Sequence, residues 1–226
     1  MGKNRIDCFN FQDSGCFVRP AAGHRTAILG SMPEASTIHS TATTTLLQRY
    51  YALARQHSAS AASRVVLHLG AQCCGIAVGT ATGVPTITLL PLGCERTAAE
   101  LFKTTPPTPL ALEHAIQVVE DVVMPLRPAI PRDAQLYCCD VVVRDIALLS
   151  GVVAEAGVDP QWPLVLSLDA MERSFDRLAA VVQGRPAASA GLPASNAFAM
   201  ALLILREFMH HQQFAQVTLL MESPGP

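Results

Sequence analysis

Arg64-Val65-Val66-Leu67-His68-Leu69-Gly70-Ala71-Gln72-Cys73-Cys74-Gly75-Ile76-Ala77-Val78-Gly79 decides the fold. Val65 to Leu69 is an unbroken apolar and imidazole run that stops at Gly70, the mark of a strand buried on both faces. Gly75–Val78 and Pro85–Leu90 read as two further strands, with turn chemistry at Thr80 to Gly83 between them. The three form an antiparallel meander.

Helices and strands alternate after this meander. Cys94–Phe102 is a short helix, and Thr104 to Pro109 breaks it. Leu110–Leu126 is a long amphipathic helix carrying Leu112, Ile116, Val119 and Val123 at helical spacing, ended by Pro128 and Pro131. Gln135–Val143 reads as a buried strand and Asp145–Ala156 as a helix. Trp162–Leu168 is a strand or an extended lead-in, with Ser167 capping the helix Asp169–Val182. A loop with Gly184, Pro186, Gly191 and Pro193 precedes Ser195, which caps the apolar helix Asn196–Met209. Ala215–Met221 is the last strand. From residue 64 the order β-β-β-α-α-β-α-α-α-β predicts an α/β fold around a mixed sheet.

Upstream the signals weaken. Arg5–Val18 is a strand or hairpin, Thr26–Leu29 a short apolar run, and Ser36–Thr45 a stretch rich in Ser and Thr. Leu46–Gln56 has helical spacing, with Leu46, Leu47, Tyr50 and Leu53 on one stripe. Ser58–Ser63 is a linker or a tight helix end.

Composition bounds the function. The chain has 226 residues, 50% hydrophobic and 15% charged, which excludes intrinsic disorder. A net charge of −2 gives no basic field for nucleic acid or anionic lipid. Mean hydropathy is high at +0.31. Even so, the longest apolar run, Ala197 to Leu205, is far below the roughly 20 residues a membrane-spanning helix needs. Met1 to Asp7 has no apolar core of a secretion signal, so a cytoplasmic location is expected. Among 7 cysteines, Cys73-Cys74 and Cys138-Cys139 are adjacent pairs, expected as reduced thiols packing like small hydrophobes. No Cys-x-x-Cys or His-x-x-x-His spacing marks a metal site. His210-His211 falls where a cationic imidazole favours a helix C-terminus. Asp169, Glu172, Arg173 and Arg177 read as an ordinary charged helix face.

The ordered set of segments resembles the Ppx/GppA family of exopolyphosphatases and guanosine pentaphosphate phosphohydrolases. Val65-Val66-Leu67-His68-Leu69-Gly70 with Gly75-Ile76-Ala77-Val78-Gly79 is similar to that family's strand, phosphate loop and strand. Leu90-Pro91-Leu92-Gly93-Cys94-Glu95-Arg96 resembles its Leu-Pro-Leu-Gly-Ala-x-Arg segment. Pro106-Pro107-Thr108-Pro109 and Met124-Pro125-Leu126 bracket its proline-led helix. Arg144-Asp145-Ile146-Ala147-Leu148-Leu149 is similar to the helix after its second glycine motif. Gly191-Leu192-Pro193-Ala194 and Val217-Thr218-Leu219 resemble its late helix and final strand. Ala27 to Ala35, ending Met32-Pro33-Glu34-Ala35, is similar to its Leu-Ser-Gly-x-Glu-Glu-Ala stretch. The resemblance implies a ribonuclease-H-like sheet of the actin, Hsp70 and sugar-kinase superfamily. Residues 64–226 would form the second lobe and residues 1–63 a shortened remnant of the first.

The resemblance also implies where chemistry would sit. Glu34 matches the glutamate that activates water, and His68, Gly70, Ala71, Gln72, Cys73 and Cys74 occupy the phosphate loop. Asp140 and Arg144 occupy the second loop and the start of its helix. In the family the first loop reads Asp-x-Gly-Gly-Gly-Ser/Thr-x-Glu, whose glycines close on phosphate and whose carboxylates hold metal or water. Here the Asp is His68, two glycines are Ala71 and Gln72, and the Glu is Gly75. Asp140-Val141-Val142 keeps neither glycine of the second loop. An active enzyme would require magnesium and would cleave polyphosphate or a guanosine polyphosphate. The departures point instead to a degraded site, with no protein-bound metal and a binding or regulatory role. A phosphate chain or nucleotide is then the expected ligand, and an apolar surface the expected seat of a homo-oligomer.

Overall fold

Alternation along β1 sets the layers. The computed structural model of the chain describes residues 34–57, 63–80, 82–152 and 163–221, with residues 34–39 described as backbone only. β1 (Arg64–His68) is buried at all 5 positions. Val65 and Leu67 point into one large apolar core, and Val66 points into a second on the opposite face. That double burial is why the strand reads as a continuous apolar run rather than an alternating one.

β2 (Cys74–Gly79) pairs antiparallel with β1, and β3 (Thr86–Leu90) pairs antiparallel with β2, so the meander forms as expected. β4 (Gln135–Cys138) and β6 (Gln216–Leu219) extend the sheet in parallel, and β5 (Leu164–Ser167) closes the far edge antiparallel to β6. The result is a mixed 6-stranded sheet in the order β3-β2-β1-β4-β6-β5. Its parallel centre brings Leu67, Cys138 and Leu219 into register, so β1, β4 and β6 all end on the same side.

Four α-helices cover the larger core: α2 (Cys94–Leu101), α3 (Pro109–Val123), α4 (Val141–Leu149) and α5 (Leu168–Val182). The short α6 (Ala187–Ala190) follows. All four pack around α7 (Asn196–Gln212), which is buried almost continuously from Phe198 to Met209. A helix apolar on every side needs partners on every side, and α7 has them. Ser167 and Ser195 both accept amide hydrogen bonds at the helix starts, from Ala170 at 3.2 Å and from Phe198 at 3.3 Å. Both caps agree with the sequence expectation.

Among the described residues the opposite face carries one helix. α1 (Glu34–His57) lays Leu47, Tyr50, Tyr51 and Ala54 on Val66, Ala77 and Tyr137. This helix is twice as long as its apolar stripe predicts, because the Ser/Thr-rich stretch is helical too. Thr44 and Thr45 turn their hydroxyls back onto the carbonyls of Ser40 and Thr41, which removes their competition with the helix ladder. No described helix is long and apolar enough to cross a membrane.

Other boundaries shift for local reasons. The expected strand to Val143 stops at Cys138, since the next helix begins at Val141 rather than at Asp145. Pro125 ends α3 earlier than expected, and Met124–Ala129 continues as a 3-10 turn. The expected pieces at 5–18, 26–29 and 58–62, and the end of the helix expected to reach Ala156, lie outside the described residues.

Gly93 marks a tight joint between backbone segments. A Cβ there would stand 2.6 Å from the backbone carbonyl of Gln72 and 2.7 Å from that of Ala71. Gly93→Ala is therefore expected to destabilise by about 2–3 kcal/mol, since backbone and not a side-chain tip must move. Gly83→Ala, whose Cβ would meet only a hydroxyl at 3.5 Å, should stay within about 0.5 kcal/mol. Urea denaturation of the two variants checks the contrast; equal losses would contradict it.

Candidate functional site

The carboxyl ends of β1 and β4 meet in a buried hydrogen-bonded pair of side chains. His68 is the last residue of β1, and Asp140 lies two residues beyond the end of β4, immediately before α4. Nδ1 of His68 lies 2.7 Å from Oδ1 of Asp140, with both side chains about nine-tenths buried. The Leu69 amide donates to Oδ2 at 2.8 Å, and the Cys138 thiol approaches the same oxygen at 3.3 Å. An Asp before a helix would ordinarily cap it; this one makes no cap bond, because both oxygens turn back to β1. The Tyr50 ring of α1 meets the imidazole edge-on, 6.0 Å between centroids.

The loop that follows His68 serves α2. The carbonyl of Gly70 accepts from the Cys94 amide at 2.9 Å, and that of Ala71 accepts from Glu95 and Arg96 at 2.9 and 3.1 Å. Free amides at a helix start are what an anion would otherwise use. Here those of α2 are taken up by the loop's own carbonyls. Gly70 keeps its place for the same reason as Gly93: a Cβ would stand 2.3 Å from the Cys73 carbonyl oxygen. Gln72 is exposed on the outer side of the turn.

Gly75, which stands where the family pattern has a glutamate, faces α1. A Cβ on it would lie 2.8 Å from Cδ1 of Leu47. A longer side chain would need the space that Leu47 fills. The magnesium that an active relative would use therefore has no suitable donors at this loop. One carboxylate remains, and it is already held by an imidazole and an amide, whereas Mg²⁺ asks for several free oxygen ligands.

Cys74, Cys94 and Cys138 are packing groups of the larger core. Cys74, Cys94 and Cys138 are buried, Cys73 and Cys139 half-buried, and none of these five is in a disulfide. A hydrogen bond with Cys94, then burial, pushes the Cys74 thiol well above its ordinary range. Burial, then the charge of Asp140, does the same for Cys138. Neither offers a thiolate to a metal or a substrate. Cys73 and Cys139 do not share a pocket: Cys73 turns to the Leu90 carbonyl, and Cys139 lines a cavity beyond the sheet end.

That cavity, about 220 Å³, is lined by Tyr50, Cys139, Asp140, Val141, Arg144, Leu219, Leu220 and Met221. It lies at the carboxyl ends of parallel strands, where α/β sheets place ligands. Arg144 pairs with Asp145 at 3.1 Å in a half-exposed ion pair. So the structure brings His68, Asp140 and Arg144 to one strand end and commits Gly70 and Ala71 to α2. Glu34 opens α1, and its side chain lies outside the described set. Sequence reading missed Tyr50 and Leu47 as parts of this site, since both carry an ordinary core-helix signal.

No protein-family model and no curated protein matches the sequence. Solved structures do. The Ppx/GppA enzyme of Aquifex aeolicus superimposes with a TM-score of 0.61 at 16% identity, over 78% of this chain and 59% of that one. An exopolyphosphatase from Cytophaga hutchinsonii gives 0.63 at 14% identity, over 80% of this chain and 60% of that one. The chain thus spans about three fifths of the length of these structures. Identities this low establish architecture alone, and the architecture agrees with the layout of sheet and helices described above: the chain has the actin-like ATPase-type α/β fold of the Ppx/GppA proteins.

Proposed function

We propose that this chain is a Ppx/GppA-type protein that no longer hydrolyses phosphoanhydrides and acts through binding. The observation that carries the reading is the His68–Asp140 pair at 2.7 Å with the Leu69 amide on the second oxygen. A carboxylate held on both oxygens inside the protein is withdrawn from metal and water alike. Leu47 over Gly75 and the loop carbonyls on α2 support the same conclusion, for they occupy the other places where phosphate or metal would be held. A hydrolytic reading would need Glu34 to activate water against a phosphate that nothing else in this loop retains.

The crevice at the strand ends suits a partner of mixed character. Arg144 supplies one positive charge for a phosphate chain or nucleotide. Val141 and Met221, 61% and 48% exposed, give the same crevice an apolar rim of the kind that a second copy of the chain would cover.

Three measurements test this reading. Phosphate release from polyphosphate and from guanosine pentaphosphate with magnesium is expected to stay at background, and magnesium at millimolar concentration is expected to leave Tm unchanged. Magnesium-dependent release that Glu34→Ala abolishes would overturn the proposal. Val141→Asp, at the first position of α4 where a carboxylate suits the helix, is expected to lower the mass seen by light scattering to that of a monomer while Tm holds. An unchanged mass would remove the rim from the account.

A further inference from the structure

We infer that Glu120, Glu207 and His211 form a binding site for one divalent cation of the zinc class, between α3 and α7. His211 stands in the last turn of α7, as the sequence led one to expect, and its ring turns sideways to two carboxylates. Nε2 of His211 lies 3.2 Å from Oε1 of Glu120 and 3.3 Å from Oε2 of Glu207. One ligand atom from each residue lies within 4.8 Å of the other two, and among the described residues this is the one such group.

The spacing is that of ligands rather than of hydrogen-bond partners alone. Zinc binds nitrogen and oxygen at about 2.0–2.2 Å, and a tetrahedral angle then sets neighbouring ligand atoms about 3.3–3.5 Å apart. Nε2 carries at most one hydrogen, which cannot point in line at two separate oxygens. A cation placed among the three atoms meets a lone pair from each.

Charge and access agree with the geometry. Arg206 grips Oε1 of Glu207 and, at 3.0 Å, Oε2 of Glu172, so Oε2 of Glu207 is the oxygen left facing His211. Glu120, Glu172 and Glu207 gather round the guanidinium of Arg206 and the imidazole of His211. Glu207 is 1% exposed, so a cation at the oxygen facing His211 would be held away from bulk water. Glu120 and His211 are 35% and 21% exposed, so the ion can enter and a water can complete four-coordination. Arg206 then acts as the outer partner that orients the buried ligand. Imidazole with carboxylates suits Zn²⁺ or Co²⁺ better than Mg²⁺. Bound there, the cation ties α3 to α7, the helix at the centre of the larger core.

Titration of the purified full chain with Co²⁺ tests the site and separates it from the cysteines. The expected result is one Co²⁺ per chain, with visible d–d bands and no thiolate-to-metal charge transfer. Glu120→Gln and His211→Gln, both partly exposed and expected to fold, should each weaken binding at least about tenfold. His114→Gln, an exposed histidine elsewhere on α3, should leave it unchanged. Absence of binding, binding that survives either ligand substitution, or a thiolate charge-transfer band would overturn the assignment.

Discussion

One buried contact, His68 with Asp140, organises the end of the sheet on which function would depend. It joins the last residue of β1 to the residue that launches α4. The Leu69 amide on the second oxygen fixes the chain direction out of β1, and with it the turn of the following loop. That turn sets the carbonyls of Gly70 and Ala71 against the start of α2, and Gly93 permits the close approach. Tyr50 braces the imidazole from the other face of the sheet. A buried pair of this kind costs desolvation and is repaid only by good geometry with further hydrogen bonds, which this one has.

The same residues set this sheet end apart from the family pattern that the sequence resembles. In the family pattern a carboxylate stands at the position of His68 and glycines stand at the second loop. Here an imidazole sits on β1, and the acid sits at the mouth of α4. The two satisfy each other rather than a ligand. Leu47 packs over Gly75, and the stability of the fold rests on the two apolar layers and on α7.

Much of this was legible in the sequence. The doubly buried β1, the meander, the two serine caps and the apolar α7 all follow from local runs and punctuation. The long α1 was not, since Ser and Thr ordinarily argue against a helix, and their back-bonding to the preceding turn is visible only in three dimensions. His68 and Asp140 were each legible as departures from the family pattern. That they pair could not be read from residues 72 positions apart. The cluster at Glu120, Glu207 and His211 was hidden for the same reason, with only the i, i+4 spacing of Glu207 and His211 as a faint signal.

A double-mutant cycle tests the central claim most directly. Stability to urea is measured for the wild type, His68→Gln, Asp140→Asn and the double variant. A pair that holds the loop predicts single losses of about 3 kcal/mol and a coupling energy of at least about 1.5 kcal/mol. Losses that add to within about 0.5 kcal/mol would contradict the account, since His68 and Asp140 would then be neighbours without being partners.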